Sequence, residues 1–211
     1  MPQKPARFLR VAPGQISSDR ECGDGPTGCC DGLPAHRKAV VVTLEKFIPG
    51  ALPLVRGHER RILRTASGAS TGLVVDSEAT GGAASVLDIT LALGADGAAP
   101  HFHKRSSELF FVVSGQIDFL AGDHVETLTA GDTAVVPPLM PHAFAASAGS
   151  EAHLYTVLTP GVQRFGYFRL LDDIVNGRVD RSALEGAQAD YDNWFVDSPV
   201  WGQARGLTTR G

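Results

Sequence analysis

Long apolar runs and clusters of basic residues are both absent from this chain of 211 residues. No segment approaches the roughly 20 consecutive apolar residues of a membrane-spanning helix, and the beginning of the chain lacks the apolar segment of a signal peptide. The formal net charge is −4 at pH 7, and without a basic patch the chain has no electrostatic footprint for nucleic acid or an anionic membrane. We therefore expect a soluble, cytoplasmic protein that binds a small molecule and has no nucleic-acid or membrane partner.

Cysteine is also scarce, because Cys22, Cys29 and Cys30 are the three in the chain, all in one segment punctuated by Gly and Pro. An odd number of cysteines argues against a closed disulfide framework, and we expect reduced thiols. The alternative is a small metal or redox site that includes His36, although the spacing lacks the paired Cys-x-x-Cys arrangement of structural zinc sites.

Turn residues and apolar periodicity divide the chain into three parts, which we interpret as one domain with extensions. Residues 1–36 combine Pro, Gly, Asp and Ser without apolar periodicity, and they predict an N-terminal arm of loops. Residues 37–160 carry the strand signals of a barrel, and residues 161–211 carry helical signals.

Short strand-like segments separated by turn residues fill the middle part. Leu87, Ile89, Leu91 and Leu93 alternate with more polar residues, which predicts a half-buried strand followed by a loop from Gly94 to Pro100. This near-regular series predicts an all-β, antiparallel sandwich or barrel. The other predicted strands are 39–47, 60–65, 71–76, 109–113, 116–120, 125–128, 134–136, 143–146 and 152–158.

The C-terminal part changes to helical periodicity. Apolar residues from Phe165 to Val175 recur at helical spacing, and Asn176-Gly177 is a typical helix end. A second short helix is predicted from Arg181 to Ala189, capped by Asp180 or Ser182. Aromatic side chains should anchor the remaining tail on the barrel because each can bury a large area. These side chains are Trp194, Phe195 and Trp201.

Four side chains have the spacing of a metal site. His101 and His103 lie two residues apart, so on an extended strand both imidazoles leave the same face. Glu108 follows at the start of a predicted strand, and His142 follows a turn stiffened by Pro. Each alone is explained by a structural role, but three imidazoles and one carboxylate together suit one divalent transition metal ion per subunit. The ligand types admit Fe, Mn, Ni, Co, Cu or Zn.

Glu108 is also the candidate catalytic residue. Four protein ligands leave open coordination positions for a substrate, and a carboxylate that loosens from the metal can accept a proton from a bound hydroxyl or enol. The metal would first lower the pKa of that hydroxyl. Apolar residues near the ligands are candidate substrate contacts, with plain barrel core as the alternative reading, because alternation places only half of them inward. The candidates are Phe102, Phe110, Val112, Met140, Phe144 and Tyr155.

These residues resemble the two motifs of the cupin superfamily. Residues 95–115, with His-x-His, four residues, Glu, six residues and Gly, resemble the first motif. Residues 131–146, with Gly131, Pro137 and His142, resemble the second, with Leu139 in place of a motif Gly. The resemblance implies a jelly-roll cupin β-barrel with the metal held inside, the N-terminal arm and the C-terminal helices packing outside.

Within the cupins, the single motif pair, the helical tail and its Tyr-Asp-Asn-Trp-Phe segment resemble the quercetinase-type dioxygenases. That resemblance implies oxygenolytic ring opening of a flavonol-like substrate by O2, with Glu108 taking the proton of the substrate hydroxyl. Fold does not fix function, however. A non-redox cyclase, isomerase or dehydratase acting on an aromatic or polyketide-like substrate stays open, as does a ligand-binding cupin without turnover. We also expect a homodimer, because pairing of barrels would cover exposed strand edges.

Overall fold

In the computed structural model of the chain, the described residues are 8–9, 52–65 and 68–206. The chain divides into two units, one of them Phe8–Leu52 and the other made of Met1–Arg7 and Pro53–Gly211. In the first unit, the described residues are the two-residue strand β1 (Phe8–Leu9) and Leu52, which begins β2 (Leu52–Pro53). All further description concerns the second unit.

Several predictions lie outside the described residues. They are the N-terminal arm apart from β1, the strand at 39–47, and the proposed site of Cys22, Cys29, Cys30 and His36.

One curled, antiparallel sheet of ten strands dominates the second unit. Its strand order is β12-β6-β10-β7-β11-β5-β4-β3, and β8 and β9 also pair with β7. The prediction of an all-β antiparallel barrel is therefore confirmed. The strands are β3 (Arg61–Arg64), β4 (Ala69–Val75), β5 (Ser85–Leu91), β6 (Asp96–Phe102), β7 (Ser107–Ala121), β8 (His124–Thr129), β9 (Thr133–Val136), β10 (His142–Ala146), β11 (Ala152–Thr159) and β12 (Trp194–Phe195). Two 3-10 helices lie at Gly57–Glu59 and Ser77–Thr80.

Strand β7 connects the two halves of the sheet. Its first half pairs with β9 and β11, and its second half pairs with β8 and β10. The sequence predicted two strands around Gly115, but the chain bends there without a hairpin turn. Gly115 has φ of 75°, and a Cβ at this position would lie 1.8 Å from the carbonyl oxygen of Glu151. Glycine is therefore required by both conformation and space.

Strand β6 corrects the sequence prediction of a loop from Gly94 to Pro100. The segment is rich in Gly and Ala, which have low strand propensity, and this composition concealed a strand. Its backbone pairs with β10 along the segment, with Ala98 opposite Phe144, and with β12 only at its end, where His101 lies opposite Phe195. Pairing with β10 supplies the hydrogen bonds that local propensity does not.

The core lies on the concave side of the sheet. Alternation along β5 buries Leu87, Ile89 and Leu91, and the predicted pattern ends there because Leu93 is 67% exposed. Leu154 and Phe110 pack in the same buried cluster. A leucine-sized side chain contributes about 1.5–3 kcal/mol when fully buried, so this face provides the main driving force for closing the sheet.

The described residues after β11 form three helices, which are α1 (Arg164–Val175), α2 (Ala183–Tyr191) and α3 (Pro199–Ala204). Strand β12 lies between α2 and α3. The first ends at Asn176 with Gly177 at φ of 69°, as predicted. Asp180 accepts hydrogen bonds from the backbone and hydroxyl of Ser182 just before α2. None of the helices in the described part of the chain is long and apolar enough to cross a membrane.

The C-terminal aromatics are not equivalent. Trp201 is buried against Leu120, Ala143 and Ala145, so it anchors the tail as expected. Trp194 and Phe195 instead form β12, which extends the sheet beside β6. This edge pairing places the tail next to the residues of the first motif.

Candidate metal centre

Three elements bring the four predicted ligands together. His101 lies one residue before the end of β6 and His103 directly follows the strand, Glu108 lies near the start of β7, and His142 begins β10. The pairing of β10 with β6 sets His142 opposite His101. Residues separated by two along an extended chain share a face, and for this reason His103 joins the same cluster.

The cluster is buried and its donor atoms converge. All four side chains are at most 4% exposed, and one donor atom from each lies within 4.8 Å of the others. The Nε2 atoms of His103 and His142 lie 2.9 and 3.0 Å from Oε2 of Glu108. Neighbouring ligands bound at about 2.1 Å to one ion stand about 3 Å apart, so these separations fit a common metal ion.

Backbone carbonyl groups orient the three imidazoles. Nδ1 of His101 lies 2.8 Å from the carbonyl oxygen of Ala99. Nδ1 of His142 lies 3.0 Å from the carbonyl oxygen of Met140. Nδ1 of His103 lies 2.5 Å from the carbonyl oxygen of Asp192. A carbonyl oxygen only accepts hydrogen bonds, so each Nδ1 carries the proton. Each neutral ring then presents the lone pair of Nε2 to the centre, which is the usual arrangement of metal-binding histidine.

Electrostatics give a second test of the fit. Burial, with repulsion from His142 and His103, holds the pKa of His101 well below its ordinary value. Burial alone would raise the pKa of Glu108, but the interactions with His103 and His142 outweigh it and hold that pKa well below its ordinary value. Lone pairs on neutral imidazoles facing an ionised carboxylate are stabilised by a cation between them. The residues present therefore fit a divalent metal ion.

Asp192 braces the loop between His103 and Glu108. Its carboxylate accepts hydrogen bonds from the backbone N–H groups of Lys104, Arg105 and Ser106, at 2.9, 3.0 and 3.2 Å. Burial would raise the pKa of Asp192, but these three donors lower it below its ordinary value. Because the carbonyl group of the same residue orients His103, one residue of the tail positions both this histidine and the loop that follows it.

The turn before His142 contains a residue in the left-handed backbone conformation. Leu139 stands where the motif has Gly, and it adopts a positive φ of 69°. Its N–H donates to the carbonyl oxygen of His103 at 2.7 Å, which ties this turn to the first motif. The side chain is 64% exposed, so its bulk meets no packed neighbour.

A cavity of about 250 Å³ adjoins the cluster. His101 and Glu108 lie in its wall, and the concave face of the sheet and the helices α1 and α2 supply the rest. Most of the wall is apolar, including Leu87, Ile89 and Phe168. Two of the four candidate ligands are therefore reachable by a small molecule in an apolar enclosure.

The predicted substrate contacts occupy different places. Phe144 lines the cavity. Phe110 and Val112 are buried in the core, with the ring of Phe110 edge-on to His142 at 5.8 Å between centroids. Their roles in substrate binding stay predictions.

The other three candidates lie further from the cavity. Phe102 falls between the two ligand histidines, so its side chain points to the opposite face. Met140 is 36% exposed in the turn before His142. Tyr155 and Thr156 are neighbours on β11, so their side chains lie on opposite faces of the sheet. Thr156 is the one that lines the cavity.

Sequence reasoning missed the contributions of α1 and of the tail. Asp192 and Asn193 are almost fully buried, and so is Arg164 at the start of α1. The sequence signal was the unusual Tyr-Asp-Asn-Trp-Phe segment, which we interpreted only as an anchor and as part of a family resemblance. Local sequence gives no indication that residues about 90 positions after the first motif return to it.

Comparison with known families agrees with this geometry. Residues 87–158 match the family model described as cupin domain. This region is a cupin domain. The match includes all four candidate ligands, so the cupin part of the predicted resemblance is confirmed, whereas its quercetinase-type part stays a prediction. No curated protein matches the chain by sequence.

Solved cupin structures resemble the chain over about half its length. A predicted oxalate decarboxylase from Thermotoga maritima is 17% identical, over 50% of this chain and 97% of that chain, with a TM-score of 0.47. The polyketide cyclase RemF from Streptomyces resistomycificus is 14% identical, over 52% and 80%, with a TM-score of 0.44. Pac13 from Streptomyces, a nucleoside dehydratase, is 20% identical, over 53% and 85%, with a TM-score of 0.43.

Proposed function

We propose that this protein is a metal-dependent cupin dioxygenase that cleaves a small aromatic, flavonol-like substrate. The metal would be held by His101, His103, Glu108 and His142. The observation that carries the proposal is the buried cluster of four donor atoms, which meets an apolar cavity at His101 and Glu108. An enclosed apolar wall favours an aromatic ring over a strongly hydrated ligand.

The candidate metal ligands would have different roles. The three histidines, each fixed through Nδ1 by a backbone carbonyl group, hold their Nε2 atoms in place without rearrangement. A divalent ion in this site would supply a Lewis-acidic centre with redox capacity when the metal is Fe, Mn, Co, Ni or Cu. Glu108 is ionised at neutral pH because of its low pKa, and its carboxylate would accept the proton of the substrate hydroxyl or enol.

The decisive experiment joins metal analysis to oxygen consumption. The protein should be purified without metal-chelating resin, its metal quantified by mass spectrometry, and oxygen uptake followed with quercetin. A flavonol whose 3-hydroxyl group is methylated is the matched control substrate, since it offers no proton to Glu108. The proposal predicts uptake that rises with metal content and is absent with the methylated flavonol.

Two results would contradict the dioxygenase. Uptake that is independent of metal content would separate the reaction from this cluster. A zinc-loaded protein without oxygen uptake would favour a non-redox cyclase, isomerase or dehydratase, and the assays would then be repeated without oxygen. If the protein binds the flavonol but leaves it chemically unchanged both with and without oxygen, a binding protein without turnover is favoured.

A further inference from the structure

Arg164 is a buried cation without an anionic partner. It is the first residue of α1, and 3% of its surface is exposed. Its guanidinium group donates to the carbonyl oxygen of Tyr191 at 3.2 Å and to Oδ1 of Asn193 at 3.4 and 3.5 Å. Among the described residues, no carboxylate forms an ion pair with it. Removing a charge from water without pairing it is unfavourable, so this position needs an explanation.

The nearby carboxylate of Asp76 is already committed to the backbone. It accepts the N–H groups of Ser77, Arg164 and Phe165, at 3.0, 2.9 and 3.2 Å, and so caps α1. The rings of Tyr167 and Phe168 lie 4.6 and 5.6 Å from the guanidinium carbon of Arg164. Aromatic faces stabilise the cation in part, but they do not satisfy its Nε–H group, which has no hydrogen-bond partner among the described residues.

Three buried polar atoms around this point have no hydrogen-bond partner among the described residues. They are Nε of Arg164, Nδ2 of Asn193 and Oγ1 of Thr156. All three residues line the cavity that also contains His101 and Glu108. Nε and Nδ2 are donors and a hydroxyl can donate, so the residues of this wall carry a positive charge and three donors without a partner. Buried polar groups in native proteins are nearly always satisfied, which indicates that a ligand oxygen completes them.

We propose that Arg164, Asn193 and Thr156 form a subsite for a carboxylate group of the aromatic substrate. The aromatic part would lie against the apolar wall, and the reacting end would face His101 and Glu108. This inference rests on the proposed function for its metal-facing end, but not for recognition of the carboxylate.

The test compares two probes that differ only in charge. Benzoate and benzamide have nearly the same size, and their binding to the full-length, zinc-loaded protein can be measured by titration calorimetry. Zinc occupies the metal site without redox turnover. Because a charge-assisted pair in a buried site is strong, we expect benzoate to bind at least about tenfold more tightly than benzamide.

Substitutions then test which residues cause the preference for benzoate over benzamide. Arg164→Gln should weaken benzoate binding by about tenfold or more and leave benzamide binding within about threefold. Arg169→Gln is the matched control, since Arg169 is an exposed residue of the same helix and does not line the cavity. Thr156→Val removes one unused hydroxyl at constant shape, and it should weaken benzoate by a smaller factor, about twofold to tenfold. If Arg164→Gln does not fold, Asn193→Ala takes its place with the same expectation.

Two outcomes overturn the subsite. One is equal binding of benzoate and benzamide to the unaltered protein. The other is a preference for benzoate that survives in the Arg164 or Asn193 variant, which would assign the carboxylate to the zinc ion instead. Neither result depends on oxygen uptake, so the subsite and the dioxygenase can fail separately.

Discussion

Two histidine–carboxylate clusters lie on this barrel, and they differ in how the carboxylate charge is balanced. In the inner cluster, His103 and His142 lie 2.9 and 3.0 Å from Glu108, and all three side chains are buried. In the outer cluster, Nε2 of His153 lies 2.7 Å from Oδ1 of Asp88, and both side chains are partly exposed.

The outer cluster contains its own cation. Arg60 pairs with Asp88 and donates to the hydroxyl of Tyr155 at 3.3 Å. The hydrogen bond with Tyr155 is the largest influence that raises the pKa of Arg60. No arginine or lysine in the described part of the chain pairs with Glu108. The same residue types therefore make an ion-pair cluster in one place and a cluster that fits a metal cation in the other.

The largest expected effect comes from removing an inner imidazole. His142→Ala should reduce bound metal by more than about tenfold and abolish turnover, because a lost ligand costs more than a lost outer hydrogen bond. His153→Ala is the matched control from the outer cluster and should keep both. Metal per subunit is measured by mass spectrometry after dialysis. Normal metal content and turnover in the His142 variant would show that the inner cluster is not the metal site.

Glu108→Gln separates ligation from proton transfer. The amide keeps the size and an oxygen donor, so most of the metal should remain, while the rate falls by about 100-fold or more because the proton acceptor is lost. Asp88→Asn is the same change in the outer cluster, and it should leave the rate unaltered. An undiminished rate in the Glu108 variant would rule out the proton-acceptor role.

Asp192→Asn tests the support beneath the inner cluster. Asn tolerates the left-handed backbone found at this residue, where φ is 50°, but its amide cannot accept three backbone hydrogen bonds as a carboxylate does. Metal affinity should fall by about 10-fold to 100-fold. Cobalt titration followed by absorption measures affinity and coordination together. Asp190→Asn, a change of an exposed residue in the last turn of α2, should match the unaltered protein. Equal behaviour of the Asp190 and Asp192 variants would contradict the bracing role.

The smallest effect is expected from Arg60→Met in the outer cluster. Partly exposed ion pairs contribute little, so the free energy of unfolding should fall by about 1 kcal/mol or less. Urea unfolding measures this change, and metal content should not alter. A loss of metal in this variant would show that the two clusters are coupled across the sheet.

Much of the inner cluster could be predicted from sequence because its ligands belong to local patterns. The two-residue spacing of His101 and His103 fixes their common face, and the strands around Glu108 and His142 are strongly apolar. The strand at β6 could not be predicted in the same way. Its Gly- and Ala-rich residues have low strand propensity, and it is pairing with β10 that makes them extended.

Local spacing and periodicity were enough to predict most of the described strands, the helix from Phe165 to Val175 and the four candidate ligands, since these patterns act over a few residues. What surrounds those ligands depends on the fold. Asp192 lies 89 positions after His103, the residue that it orients, and Arg164 becomes a buried cation only where α1 closes over the sheet. Charge balance and enclosure depend on neighbours in space, and residues so distant along the chain become neighbours only when the chain folds.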